Sequence, residues 1–278
     1  MKPRHVVITG ASGGIGEAIA RTLLVRGQEV TLVARAGDRL QAAAQRLRSA
    51  AAPARVHVQA ADLALQSEVH DLASALATRP IDALVLNAAL MPGARRLTAE
   101  GVEETLAVNH LAPYLLTRRL LPGLASGARI VVVGADPSML ARAPVDLDDL
   151  GFARGFSATR AYMRTKNMNA MFCYALARRL AGSGITVNAG HPGVIRTDLA
   201  RHARGPLGLL LTLMRPLLPG PDVGADTPAW LADADELQAV HGRFFVKRRA
   251  VATAAHTLDP ERQERLWQAS ATLVGLHA

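Results

Sequence analysis

A chain of 278 residues with 50% apolar side chains can enclose one large core, and its single cysteine, Cys173, rules out an internal disulfide and a multi-thiolate zinc site. Its formal charge of +9 comes from arginines scattered through helical patterns, and aromatic residues make up only 4%. The basic cluster interleaved with stacking rings that a nucleic-acid surface needs is missing, so these features predict one cytoplasmic domain with a solvated arginine-rich surface and neither a metal nor a nucleic-acid partner.

The chain opens on a short basic and apolar run that ends at glycine, too brief for a signal peptide and suited to a first buried strand, His5 to Thr9. Further Val, Ile and Leu runs follow at Glu29 to Ala34, Val56 to Ala60, Ala83 to Asn87, Arg129 to Val133 and Thr186 to Ala189, with a late edge strand at Arg243 to Val246. Between them, Ile15 to Arg26, Arg39 to Ala51, Gln66 to Ala77, Thr98 to Leu121 and Thr159 to Leu180 carry helical spacing. Strands without polar alternation, separated by helices, predict a doubly wound α/β domain with a parallel, Rossmann-like sheet of about seven strands covered on both faces. No repeat of fixed period appears.

The segment 201–222 breaks this rhythm with an apolar stretch bounded by glycine and proline. Its apolar core, Leu207 to Leu218, is about 12 residues long where a membrane span needs about 20. Three readings stay open: a lid over an apolar small-molecule substrate, a patch for peripheral membrane association, and ordinary core or dimer packing.

The first strand runs into Gly10-Ala11-Ser12-Gly13-Gly14-Ile15-Gly16 and then a helical pattern. Glycines there admit positive φ, bring backbone N–H groups to a pyrophosphate and let the helix sit close to the sheet. The strand–turn–helix context makes this a dinucleotide site. The second strand ends at Arg35 with no acid at its tip, which favours NADP(H) over NAD(H) through a forked contact with a 2′-phosphate. An ordinary surface arginine is the alternative. Further on, Tyr162 and Lys166 stand four apart on one helical face, a pair able to move a proton if the ammonium favours the phenolate.

Taken with Asp62-Leu63, Asn87-Ala88-Ala89, Asn109 and His191-Pro192-Gly193-Val194 followed by Thr197, these residues resemble the short-chain dehydrogenase/reductase family over almost the whole chain. Val108 to Leu111, His191 to Gly193, Gly242 to Phe245 and Leu266-Trp267 are similar to its retinol dehydrogenase and WW-domain oxidoreductase branch. The resemblance implies that Tyr162 exchanges the substrate proton, Lys166 holds the nicotinamide ribose and Asn109 anchors a water in the relay. It implies adenine contacts for Asp62 and Leu63, cofactor support from Asn87 and Ala88, and a nicotinamide cover from Pro192, Gly193, Val194 and Thr197. Taken singly, Asp62 also reads as a helix cap and Asn87 as a turn residue. The resemblance also implies a homodimer or homotetramer built on the Thr98 to Leu121 and Thr159 to Leu180 helices.

Two positions depart from the family pattern. Ala135 stands where a serine would hold the reacting carbonyl, and Ala89 where glycine is usual. Ser138, or Asp136 as a protonated donor, could take the serine's part if the chain turns back at Pro137; both also read as plain loop residues. Two functions are therefore expected: an NADP(H)-dependent oxidoreductase of an apolar carbonyl or alcohol, or a cofactor-bound relative doing non-redox or regulatory work.

Overall fold

The computed structural model describes residues 3–193, 195 and 218–278. The apolar runs form β1 (His5–Thr9), β2 (Glu29–Ala34), β3 (Val56–Ala60), β4 (Ile81–Leu86), β5 (Leu124–Val133), β6 (Thr186–His191) and β7 (Phe244–Val246). All seven are parallel, in the order β3-β2-β1-β4-β5-β6-β7. The order reverses between β1 and β4, which opens a crevice beyond their carboxyl ends.

Helices α1 (Gly14–Val25), α2 (Asp38–Ala50), α3 (Gln66–Leu76), α4 (Ala112–Leu120) and α5 (Ala158–Arg179) match the helical spacing, and α6 (Pro221–Asp233) and α7 (Pro260–Leu273) are additional. One face of the sheet buries Ile8, Leu32 and Val131 against α1, α2 and α6. The other buries Leu84, Val132 and Ala189 against α3, α4, α5 and α7. Burial of β-branched strands on both faces is the hydrophobic basis of the domain.

Two expectations need correction. The run Arg243 to Val246 is not the edge, because β8 (Arg249–Val251) pairs antiparallel with β7 across a two-residue turn. Lys247 and Arg248 occupy that turn at φ 49° and 61°, the left-handed geometry of a tight hairpin. The turn is secured by Arg248 Nε, which donates to Asp226 Oδ2 at 2.8 Å.

The helix expected from Thr98 begins at Glu104 and passes through a π-helical turn, Ala107–Leu111, before α4. Pro113 has no N–H to give the carbonyl of Asn109, four residues back, and the Asn169 side chain donates to it instead at 2.8 Å. The last part of the expected lid, Pro221 and Asp222, is the first turn of α6, where Asp222 pairs with Arg21 at 2.8 Å; residues 201–217 lie outside the described residues.

The surface proposed to join copies of the chain is occupied in part by α7. Asp259 caps this helix by accepting from the Glu261 and Arg262 amides, with Pro260 at its first position. Trp267 stacks on Phe172 of α5 at 6.0 Å and meets the Tyr114 ring of α4 edge-on at 5.0 Å. His110 bridges the same elements, 3.1 Å from Asn169 Oδ1 and 2.9 Å from Ser270 Oγ, and complete burial pushes its pKa down to about 4.

Candidate active site

Gly10, at φ 69°, turns the chain out of β1 so closely under β4 that a Cβ there would stand 2.8 Å from Ala88 Cα. A Cβ on Gly16 would stand 2.4 Å from Gly10 O, so α1 rests directly on the turn. In front of the turn there is room, since a Cβ on Gly14 would meet nothing within 4 Å. Gly13 caps α1, and Ser12 and Ile15 are half-buried beside it. A backbone tight behind and open in front, at a helix N-terminus, fits a pyrophosphate. Replacing Gly16 with alanine is expected to cost about 1–3 kcal/mol of stability by overpacking. The shifted turn should also weaken nucleotide binding about tenfold or more, read by fluorescence titration.

Thr9, the last residue of β1, leads into the glycine turn and ties it to the sheet. Its hydroxyl accepts from the backbone N–H groups of Asn87 at 3.0 Å and Ala88 at 3.1 Å, tying β1 to the end of β4. The Asn87 side chain donates to Thr9 O at 2.8 Å and Gly10 O at 3.3 Å, so it braces the glycine turn.

Asp62 accepts from the Ala64 amide at 3.0 Å while its own amide donates to Glu68 at 2.7 Å, so it shapes the turn before α3, whose N-cap is Leu65, and is not the helix cap that its residue type allowed. Leu63 is buried in the core at the end of β3. Arg35 is exposed at the end of β2. Arg39 on α2, which sequence reasoning passed over, brings a guanidinium nitrogen within 3.5 Å of where a Gly13 Cβ would sit. The only hint of it was an Asp-Arg pair at a helix start.

Tyr162 and Lys166 project together from α5. Lys166 is buried, donates to Val133 O at 2.8 Å, and its Nζ lies 5.7 Å from the centre of the Tyr162 ring. Burial pushes the lysine pKa down to about 8 and the tyrosine up to about 12. Burial is the cause of both shifts, since loss of water disfavours the charged phenolate and the charged ammonium alike.

Asn109 is fully buried and its side chain is satisfied by protein. It accepts from Leu90 N at 2.8 Å and donates to Leu90 O at 2.9 Å and to Thr165 Oγ1 at 3.1 Å. Thr165 in turn donates to Tyr162 O at 2.8 Å, so Asn109 positions the tyrosine's turn of helix. Only the second lone pair of its carbonyl is left for a water.

Beyond β5, Ala135 packs with Tyr162 against Leu140, Ala143 and Met163, an apolar wall. Asp136 caps a short helical turn, Pro137–Leu140, and its Oδ1 accepts from Ser138 N at 2.8 Å and Ser138 Oγ at 2.6 Å. Those bonds hold the carboxyl below its ordinary pKa, which overturns the idea of Asp136 as a protonated donor. Ser138 is exposed, and its hydroxyl is spent on Asp136. Pro192 and Gly193, the latter at φ 92°, follow β6 on the same side, while Val194 and Thr197 lie outside the described residues. Among the described residues no cluster of potential metal ligands exists and no helix is long and apolar enough to cross a membrane.

A glycine turn at the switch point, with a Tyr–Lys helix across the crevice, defines a dinucleotide-binding α/β protein of the doubly wound class. The sequence pattern of the short chain dehydrogenase family matches residues 4–206. Human retinol dehydrogenase 13 is 34% identical over 99% of this chain and 86% of its own length. A candidate daunorubicin C-13 ketoreductase from a Streptomyces species is 37% identical over 98% of this chain and 93% of its own. Among solved structures, an uncharacterised Mycobacterium paratuberculosis protein superposes with a TM-score of 0.81 at 30% identity, covering 99% and 94% of the two chains. A blue fluorescent protein from a metagenomic library, in complex with NADPH, gives 0.67 at 25% identity over 88% and 96%. This chain belongs to the short-chain dehydrogenase family, and it is an oxidoreductase that binds a nicotinamide cofactor.

Proposed function

We propose that the chain is an NADP(H)-dependent carbonyl reductase, able to run as an alcohol dehydrogenase, that acts on an apolar small molecule with Tyr162 as proton donor. The observation that carries this reading is the Tyr162 and Lys166 pair set beside the apolar wall of Leu140, Ala143 and Met163. Bound nicotinamide would supply the hydride. A phenol with a pKa near 12 keeps its proton at neutral pH and can release it to a developing alkoxide, the part of a general acid in carbonyl reduction. Lys166, with a pKa near 8, stays largely protonated at pH 7 and offers its remaining N–H groups to the ribose. Asn109 and Thr165 keep the tyrosine's turn in place. The names of the relatives, a retinol dehydrogenase and a candidate ketoreductase of daunorubicin, agree with an apolar substrate.

Arg35 supports the choice of NADP(H), because a forked guanidinium contact suits a 2′-phosphate and β2 has no acid at its tip. Hydrogen bonds to charged groups are worth about 1.5–3 kcal/mol. Replacing Arg35 with alanine should thus raise the Kd of NADPH by about 10–100-fold and leave that of NADH within about twofold. Equal effects on both nucleotides would remove Arg35 from 2′-phosphate recognition.

Ala135 favours a second reading, in which the bound cofactor takes part in no net redox and the protein is a cyclase, dehydratase, isomerase or cofactor-bound regulator. Product formed with unchanged nicotinamide absorbance would select it.

A further inference from the structure

The reductase reading leaves the reacting oxygen one hydrogen-bond donor short, since Ala135 carries none. His191, the last residue of β6, stands close by. Its strand neighbours on the same face, Val187 and Ala189, are buried in the core that includes α5, and alternation along a strand sends the His191 ring to that layer. The residue is only 8% exposed. Its Nε2 lies 3.9 Å from Asp136 Oδ2, an ion-pair distance and too long for a direct hydrogen bond. Its Nδ1 is buried and has no hydrogen-bond partner among the described residues. Buried polar atoms rarely stay unpaired, so such an atom beside a catalytic lysine asks for a ligand.

We propose that His191, oriented by the Asp136 carboxylate, gives the reacting oxygen the hydrogen bond that Ala135 cannot. This inference rests on the reductase reading above. With a reduced nicotinamide bound, its hydride would form the C–H bond as the carbonyl π bond breaks, and Tyr162 would deliver its proton to the oxygen. His191 lends a hydrogen bond from Nδ1 and keeps its proton. Asp136 is then a positioning residue, and its charge beside Nε2 favours the imidazolium, the form in which both ring nitrogens donate.

Among the described residues, the charged groups that face the imidazole are Asp136 at the end of β5 and Lys166 on α5, whereas β7 brings Val246 in register with it. Burial, helped by the Lys166 charge, lowers the imidazole pKa below its ordinary 6.5, and Asp136 opposes the drop. Donation from Nδ1 is present below that pKa and lost as pH rises through it.

The test is carbonyl reduction by NADPH, followed across pH, in the native chain and in four variants. Below the imidazole pKa, His191→Ala should lower kcat by about 10²-fold, the usual cost of a positioned oxyanion donor, with the Kd of NADPH within about twofold. His191→Gln, which keeps an N–H donor that does not titrate, should recover part of that loss and abolish the fall of kcat above the imidazole pKa. Asp136→Asn should move that fall to lower pH. In the double variant of His191→Ala with Ala135→Ser, the serine hydroxyl should restore activity. A native chain that turns over while His191→Ala matches it within about twofold below the imidazole pKa overturns the inference and leaves the reductase reading intact. A native chain that consumes no NADPH removes both.

Discussion

Tyr162→Phe is expected to lower NADPH-dependent carbonyl reduction by about 10²–10⁴-fold, the range for a positioned general acid, while NADPH binding stays within about twofold. The separation follows from where the hydroxyl sits. Tyr162 shares an apolar wall with Ala135 and Met163, and the backbone around it is held by Thr165 and Asn109. Phenylalanine keeps the ring in that wall and removes only the proton that the chemistry uses. Steady-state kinetics with fluorescence titration of the cofactor would read both effects. A variant that loses binding as fully as turnover would make Tyr162 a cofactor ligand before a proton donor.

Trp267→Ala should be the most destabilising single truncation considered, costing about 3–5 kcal/mol. At about 2.1 cal/mol/K of unfolding entropy per residue, that is a fall in Tm of about 5–9 °C for a chain of this length. Trp267 is 4% exposed, stacks on Phe172, and lies beneath the guanidinium of Arg179 at 4.0 Å and beside that of Arg118 at 5.1 Å. The cluster around it leaves no room for a water, so the truncation would empty a well-filled space. The hold of α7 on α4 and α5 would loosen with it. Trp267→Phe should recover more than half of the loss in a thermal melt. A Tm within about 2 °C of the native chain after Trp267→Ala would mean that α7 contributes little to the fold.

The strands and the glycine turn were legible because both rest on local chemistry. Two-sided burial writes uninterrupted Val, Ile and Leu runs into β1, β2 and β5, and only glycine tolerates the approach of Gly16 to Gly10. The hairpin after β7 was hidden, since Lys247-Arg248 is not a turn sequence by propensity and is held there by Asp226. Helix α6 carries Pro228 in its interior and follows a glycine- and proline-rich stretch, which read as lid. For α7 the sequence does carry a start signal, an aspartate directly before a proline.

In the site, the pairing of Tyr162 with Lys166 follows from helical spacing alone. Its electrostatics do not, because the direction of the tyrosine shift depends on how much water the fold removes. Asn109 was legible as a site residue but its partners were not, since they turn on Pro113 opening a π-helical turn and on Leu90 arriving from a loop. The meeting of Asp136 with His191 joins the ends of two neighbouring strands and leaves no trace in either stretch of sequence.

The reductase reading is tested most directly by mixing the native protein with NADPH and a panel of aldehydes, aromatic ketones and polycyclic quinones at neutral pH, with absorbance and product followed together. It predicts that reduced cofactor disappears in step with the alcohol formed, and faster with NADPH than with NADH. Product that accumulates without any change in nicotinamide absorbance, or bound NADPH that no carbonyl in the panel consumes, would contradict it.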